Sequence, residues 1–327
     1  SLILKTKRKV SMIRDIIYVI AGICLILIGA DALTAGASTV ARRFDVSEFV
    51  VGVIIVGLGT SMPELTVSLM GALENNPGLS IGNVVGSNIV NILLITGVTA
   101  MVYPLKVTRS LVVKEIPMVV AVSILLLGMS FFPVANGISQ RILTRLDGVI
   151  LLVLLALFIM YLLKQPNDMP EVEGPKESMA KAVVKIILGL AGLIIGGNRF
   201  VFGASALASM MGVSDALIGL TLAAVGTSLP ELATSVVAAR KGQVDMALGN
   251  IIGSNIMNIL LILGVCSVIT PLPFGDVSVV DLGVMTGAAV LLWLTSRYYN
   301  DLKITRIEGA IMFVCYIAYV AWLIIQQ

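Results

Sequence analysis

The stretch GLGTSMPEL, residues 57–65, interrupts an apolar segment with two hydroxyls (Thr60, Ser61), a proline (Pro63) and a carboxylate (Glu64). It returns 167 residues later as AVGTSLPEL, residues 224–232, carrying Thr227, Ser228, Pro230 and Glu231. Two further blocks recur at the same offset. GADALTAGAS (29–38) matches GGNRFVFGAS (196–205), and GNVVGSNIVNILLITGV (82–98) matches GNIIGSNIMNILLILGV (249–265). Three blocks in constant register mark an internal duplication.

Composition says what kind of chain is duplicated. Of 327 residues, 58% are hydrophobic and only 13% charged, and the mean hydropathy is +1.04. A soluble domain carries about 25% charged residues. Apolar runs of roughly 20 residues, the length of a bilayer-spanning helix, recur along the chain. A transmembrane β-barrel would show alternating segments of about 10 residues instead. The expected fold is therefore an all-α polytopic membrane protein. The apolar runs place ten transmembrane helices at about 16–40, 49–73, 79–102, 112–132, 146–163, 182–210, 216–239, 246–269, 279–296 and 307–325.

The chain divides accordingly. Residues 1–15 form a basic N-terminal segment, 16–163 the first transmembrane repeat, 164–181 a polar linker with three prolines, and 182–327 the second repeat. Five spans per repeat is an odd number, so the second repeat is expected upside-down relative to the first. Inverted repeats with interrupted helices at the midplane are the architecture of secondary transporters.

Lys and Arg in the loops orient the chain, because cytoplasmic loops carry an excess of them. Fourteen of the 22 fall on one side, among them Arg42, Arg43 and the linker's Lys164, Lys176 and Lys181. The other side holds Arg141 and Arg145, plus five in the basic N-terminal segment, which runs against the count. The linker is expected in the cytoplasm and both termini outside, with Met12 a natural alternative start. No cleavable signal is expected, since the first apolar run is too long for a signal peptide's core. Cys24, Cys266 and Cys315 are isolated in apolar runs and suit small buried hydrophobes. The chain has no histidine, which excludes imidazole ligands and histidine acid–base chemistry.

The chemistry lies in the doubled stretch. An ionisable group at the centre of a span costs about 2.5–3.5 kcal/mol on insertion scales, and such groups are usually paired or functional. A single Glu64 would suit an inert, protonated residue bonded to a neighbouring helix. Glu64 and Glu231 at equivalent positions of a repeat, in one motif, argue for a shared task. Pro63 and Pro230 lack an N–H, so each is expected to free the carbonyl four residues back, on Gly59 and Gly226. Free carbonyls at bilayer depth need another partner, and a cation supplies one. Thr60 and Ser61 lie four and three residues before Glu64, on one side of a continuous helix.

The third and eighth spans add two amide and hydroxyl stripes, Asn83–Ser87–Asn91 and Asn250–Ser254–Asn258. Such stripes also serve as helix–helix glue, helped by close backbone approach at Gly82, Gly86, Gly249 and Gly253. Beside the glutamates, Ser87, Asn91, Ser254 and Asn258 are expected to act as ligands. Carboxylates, hydroxyls, amide oxygens and carbonyls without sulfur or imidazole make a hard-cation site, suited to Na⁺, Ca²⁺ or Mg²⁺. Mg²⁺ usually keeps several waters, so a dry cage favours Ca²⁺ over it.

GTSMPEL and GTSLPEL, each followed by a GN…GSN…N block, resemble the two α-repeats of the Ca²⁺/cation antiporter superfamily, in particular prokaryotic sodium/calcium exchangers. The resemblance covers essentially the whole chain. It implies an extracellular N-terminus and ion sites between the second, third, seventh and eighth helices. Glu64 and Glu231 would be the carboxylates shared by Ca²⁺ and Na⁺. Thr60, Ser61, Thr227 and Ser228 would give hydroxyl or backbone oxygens. Ser87 and Ser254 would serve flanking Na⁺ sites completed by the Gly57 and Ala224 carbonyls, with Asn91 and Asn258 beside the central site. Several such exchangers, the potassium-dependent ones included, have aspartate where this chain has Asn258, which argues against potassium co-transport. The linker is too short for the regulatory calcium-binding domains of animal relatives.

The expected activity is antiport of Na⁺ against Ca²⁺ by alternating access, exporting Ca²⁺ across the plasma membrane. A Ca²⁺/H⁺ exchanger is the neighbouring alternative and a passive cation channel the alternative of another class. An enzyme is disfavoured: no nucleophile–base pair, phosphate-binding loop or metal–histidine cluster is present. Nothing calls for a cofactor, a nucleic acid or an obligate protein partner; the ligands are the transported ions and the lipid bilayer. The glycine-containing first and sixth spans are expected to slide across the site as its gate. Asp31 and Arg199, at neighbouring repeat positions, suit a structural ion pair or hydrogen bond. Glu74 and Glu115, near span ends, suit solvated positions.

Overall fold

The computed structural model describes residues 2–74, 77–135, 140–164, 177–211, 224–298 and 302–326. Most of the expected linker and the first part of the expected seventh span lie outside the described residues.

The opening helix, α1 (Leu2–Phe44), runs without a break for 43 residues, so residues 2–15 continue into the first span rather than forming a separate segment. No proline or glycine precedes Gly22 to stop it. Asp15 is buried within it and pairs with Arg14 at 2.9 Å. Next come α2 (Glu48–Thr60) and α3 (Met62–Leu73), bent by 48° at the break between them. Then follow α4 (Gly78–Val102), α5 (Leu111–Phe131), α6 (Arg145–Leu163) and α7 (Met179–Met210). The short α8 (Ala224–Thr227) and α9 (Leu229–Arg240) repeat the α2–α3 break at Ser228. The chain ends with α10 (Val244–Ile269), α11 (Val279–Arg297) and α12 (Arg306–Gln326).

Among the described residues, eight helices are long and apolar enough to cross a membrane, and the bent α2–α3 pair makes a ninth. Polar residues start several of them. Thr144 and Asp147 form a capping box on α6, Ser278 and Asp281 repeat it before α11, and before α12 the Thr305 N–H and hydroxyl both donate to Glu308.

Two helices are central. In α4 and α10, 78% and 83% of the most apolar window is buried, against 22% in α7 and α12. Each contains one wider π-helical stretch, Val90–Ile95 in α4 and Asn258–Leu263 in α10, a feature frequent at functional sites. Small residues let α2 lie on α10: a Cβ on Gly52 would sit 2.6 Å from the Met246 carbonyl, and one on Gly253 2.8 Å from Val53 Cα. Gly249 is equally hemmed in by Phe49. At Gly82 and Gly86 the expected close approach is absent among the described residues.

The longest contact is between α1 and α7. Gly22 faces Gly196, Gly29 faces Gly189, and Gly36 faces Ala182, so the helices run antiparallel with a small residue every seventh position. A Cβ on Gly29 would stand 2.7 Å from the Gly189 carbonyl oxygen; glycine here is demanded by packing, not by backbone conformation.

Two short clasps join loops of the two halves. Strand β1 (Leu105–Lys106) pairs antiparallel with β4 (Lys303–Ile304), and β2 (Ile142–Leu143) with β3 (Leu272–Pro273).

Two expectations about charge change. Glu115 is buried, not solvated: its carboxylate accepts the Tyr161 hydroxyl at 2.7 Å and that of Ser110 at 3.4 Å, because packing of α6 on α5 replaces water with a phenol. Asp31 pairs with Lys241 rather than Arg199, while Arg199 stands 5.2 Å from the ring centroid of Tyr18. Glu74 is exposed, in line with a solvated position.

Candidate cation site

The doubled motif breaks its helix instead of kinking it. Ser61 leaves helical geometry at φ −81°, ψ 6°, and Ser228 does so at φ −92°, ψ 5°. Pro63 and Pro230 then fall in the first turns of α3 and α9, where a missing N–H has no helical partner to lose. Thr60 and Ser61 therefore do not share one continuous helix face with Glu64. The break has an electrostatic consequence. Glu64 and Glu231 also stand in those first turns, where the positive end of the helix dipole favours a carboxylate.

The break also aims each serine at the other copy's glutamate. Ser61 Oγ donates to Glu231 Oε1 at 3.2 Å, and Ser228 Oγ donates to Glu64 Oε1 at 3.3 Å. Thr60 faces Glu231, and Thr227 faces Glu64, in the same reciprocal way. The exchange brings the two carboxylates into one centre.

Asparagines brace this centre. Asn83 Nδ2 donates to the Glu64 carbonyl at 3.1 Å and to Ser68 Oγ at 2.9 Å. Asn250 Nδ2 reaches the Glu231 carbonyl at 3.2 Å and the Ser235 and Thr234 hydroxyls at 2.9 Å each. Its Oδ1 accepts from Thr60 at 3.1 Å. The outer asparagine of each stripe is thus helix–helix glue.

Gly57 and Ser254 come together. The Gly57 carbonyl accepts from Ser61 N–H at 3.0 Å, Thr60 Oγ1 at 3.3 Å and Ser254 Oγ at 3.5 Å. Ser87 is buried at the equivalent position of α4. Ala224 opens α8. Thr227 is half-buried.

Asn88 and Asn255 lie one position past the serines of the two stripes and outside the expected ligand set. Asn88 Nδ2 donates to the Asn255 carbonyl at 3.2 Å, so equivalent positions of the two halves meet. Asn258 Nδ2 donates to Asn88 Oδ1 at 3.0 Å. The one signal in the sequence was their presence in both GSN triplets.

What these contacts leave over defines the chemistry. Glu64 Oε2, Glu231 Oε2, Asn91 Oδ1 and Asn258 Oδ1 are buried oxygens without a hydrogen-bond partner among the described residues. Neither glutamate has an ion-pair partner among the described residues. Burying an unpaired carboxylate costs several kcal/mol. Buried acceptor oxygens of that kind are completed by protons or by cations that take oxygen ligands. Among the described residues no group of three or more His, Cys, Asp or Glu side chains is gathered, so the set is two carboxylates among neutral oxygens.

A cavity of about 650 Å³ borders the two motifs. It is lined by Pro63, Thr227 and Pro230 from the motifs and by Gly197, Asn198 and Ser205 of α7, among others.

Known proteins share this chain's sequence and shape. Residues 15–164 and 181–325 match the family described as sodium/calcium exchanger protein. The chain is 38% identical over 318 residues to the putative antiporter CaxA of Alkalimonas amylolytica, covering 93% of this chain and 96% of that protein. It is 29% identical over 354 residues to the sodium/calcium exchanger MaX1 of Methanosarcina acetivorans, covering 93% and 97%. A solved structure of the sodium-calcium exchanger NCX_Mj superposes with a TM-score of 0.81 at 35% identity, covering 95% of this chain and 99% of that one.

Proposed function

The chain belongs to the sodium/calcium exchanger protein family, and on that premise we propose that it exchanges Na⁺ for Ca²⁺ across the plasma membrane by alternating access. The inward Na⁺ gradient drives Ca²⁺ out. Ca²⁺ and Na⁺ compete for Glu64 and Glu231. Hydroxyls of Thr60, Ser61, Thr227 and Ser228, amides of Asn91 and Asn258, and flanking positions at Ser87, Ser254, Gly57 and Ala224 complete the set. The observation that carries this is the reciprocal Ser61–Glu231 and Ser228–Glu64 exchange, which leaves one oxygen of each carboxylate unpartnered. Two glutamates give −2, which one Ca²⁺ or two Na⁺ neutralise.

Ten helices in two inverted repeats, residues 16–163 and 182–327, are part of the proposal. The antiparallel α1–α7 pair, the meeting of Asn88 with Asn255 and the crossed β clasps support it. The linker lies in the cytoplasm and both termini outside. The α1–α7 pair slides as the gate. A ligand shifts such an equilibrium only through different affinities for its states, so the empty, repelling carboxylates disfavour free switching.

Protons are the second coupling ion to consider, because two buried carboxylates without basic partners among the described residues also take H⁺. Vesicles loaded with Na⁺ and diluted into Na⁺-free buffer, with pH and K⁺ clamped, should accumulate Ca²⁺. Equal uptake driven by a proton gradient alone would transfer the assignment to Ca²⁺/H⁺ exchange. Uptake that follows only the Ca²⁺ gradient would mean a channel.

A further inference from the structure

Lys241 stands immediately past α9, the helix whose first turn holds Glu231. Its ammonium crosses to α1. Nζ lies 2.7 Å from Asp31 Oδ1 and donates to the Asp31 carbonyl at 3.1 Å and to Thr34 Oγ1 at 2.9 Å. The other ion pairs among the described residues are local: Arg14–Asp15 within α1, and Lys185–Glu177 at the start of α7. Only the Lys241 pair, among these three, ties the α1–α7 unit to a helix bearing the candidate site.

The duplication supplies an internal control. At the 167-residue offset, Lys241 corresponds to Glu74, Asp31 to Asn198 and Thr34 to Val201. Glu74 forms no ion pair among the described residues. Asn198 and Val201 line the cavity of about 650 Å³. Where α1 is fastened to α9, the equivalent stretch of α7 stands off across open space. The two sides of the bundle therefore differ in how α1 and α7 are held, and the fastened side carries the three-contact lysine.

We propose that Lys241, Asp31 and Thr34 form a latch that holds α1 against α9 and closes the face of the protein bearing Arg42 and Arg43. The latch opens when ions enter or leave by that face. This rests on the antiporter reading. All three are positioning residues, since their contacts are with each other and not with the site. Asp31 and Lys241 are partly exposed, and exposed pairs contribute about 0–1 kcal/mol. That strength biases an equilibrium between two conformations without locking it. A lysine after a last helical turn also complements the helix dipole, but that role does not need Asp31.

The test uses the reconstituted full chain with Ca²⁺ half-saturation of exchange read separately from each face. Apparent affinity falls with the fraction of the competent state. Lys241→Gln and Asp31→Asn should each lower half-saturation at the Arg42/Arg43 face by about two- to five-fold and leave it unchanged or raised at the other. Thr34→Val should shift it less, and the swap Asp31→Lys with Lys241→Asp should restore it. Unchanged values at both faces, or equal changes at both, in variants that still exchange would overturn the latch. Spin labels at Phe44 and Val102, both exposed, read the latch without transport. Their distance distribution should shift in Lys241→Gln and Asp31→Asn, and an unaltered distribution in both contradicts the proposal. Loss of Na⁺-driven exchange in the wild type, with the distance shift retained, would sink the antiporter reading and leave the latch standing.

Discussion

The two copies of the motif treat their glutamates alike and their scaffolds differently. Ser61 and Ser228 each cap the opposite carboxylate at nearly the same distance, 3.2 and 3.3 Å. Behind them the symmetry fails. Asn250 is buried: three acceptors lie within hydrogen-bond distance of Nδ2, sharing its two hydrogens, and Oδ1 accepts from Thr60. Asn83 is only partly buried and donates two. The two serine–glutamate contacts are symmetric, and the asparagine support is more fully bonded on the second half. A duplicated chain can let its scaffolding drift while two carboxylates facing one ion must stay matched.

The largest expected effect tests the matched part. Glu64→Gln and Glu231→Gln each remove one charge at almost constant shape and should each abolish exchange, with flux reduced about 100-fold or more, a loss of at least about 2.7 kcal/mol. Both variants should still fold, as judged by monodisperse elution. Substantial flux in one but not the other would break the symmetry of the centre.

The next effect tests the drifted part. Asn250→Ala leaves several buried partners unsatisfied, at about 1–3 kcal/mol, and should destabilise more than Asn83→Ala. Thermal unfolding of both in the same detergent compares them directly; equal losses would remove the asymmetry. The smallest effect belongs to the serines. Ser61→Ala and Ser228→Ala each delete one hydrogen bond to a carboxylate, worth about 1.5–3 kcal/mol for a charged acceptor. If that bond competes with the ion, part of the loss is returned, so apparent Ca²⁺ affinity should move by only several-fold. The two shifts should agree within about two-fold, because their geometries do. Divergent shifts would show that the two carboxylates hold different ions.

Much of this was legible in the sequence. The constant offset between GTSMPEL and GTSLPEL pointed to a matched pair, Glu64 and Glu231, and the reciprocal serine contacts bring the two motifs together. The break at Ser61 was not legible. A proline in an apolar run is compatible both with a kink inside a helix and with the first turn of a new one, and only the backbone distinguishes them. Asn88 and Asn255 escaped a four-residue stripe drawn on adjacent positions, although they join α4 to α10. Glu115 looked solvated because its partner Tyr161 is 46 residues away on another helix. The Lys241–Asp31 contact spans 210 residues with no motif to announce it. Periodicity and repeats expose what a segment does locally, while a single long side chain finds its partner only in three dimensions.

Competition between the two ions for one pair of carboxylates is most directly measured by calorimetric titration of Ca²⁺ into the purified chain at several Na⁺ concentrations. Rising Na⁺ should weaken Ca²⁺ binding progressively, and Glu64→Gln and Glu231→Gln should each eliminate the Ca²⁺ signal. Ca²⁺ binding that is indifferent to Na⁺, or that survives in both variants, would contradict a shared site.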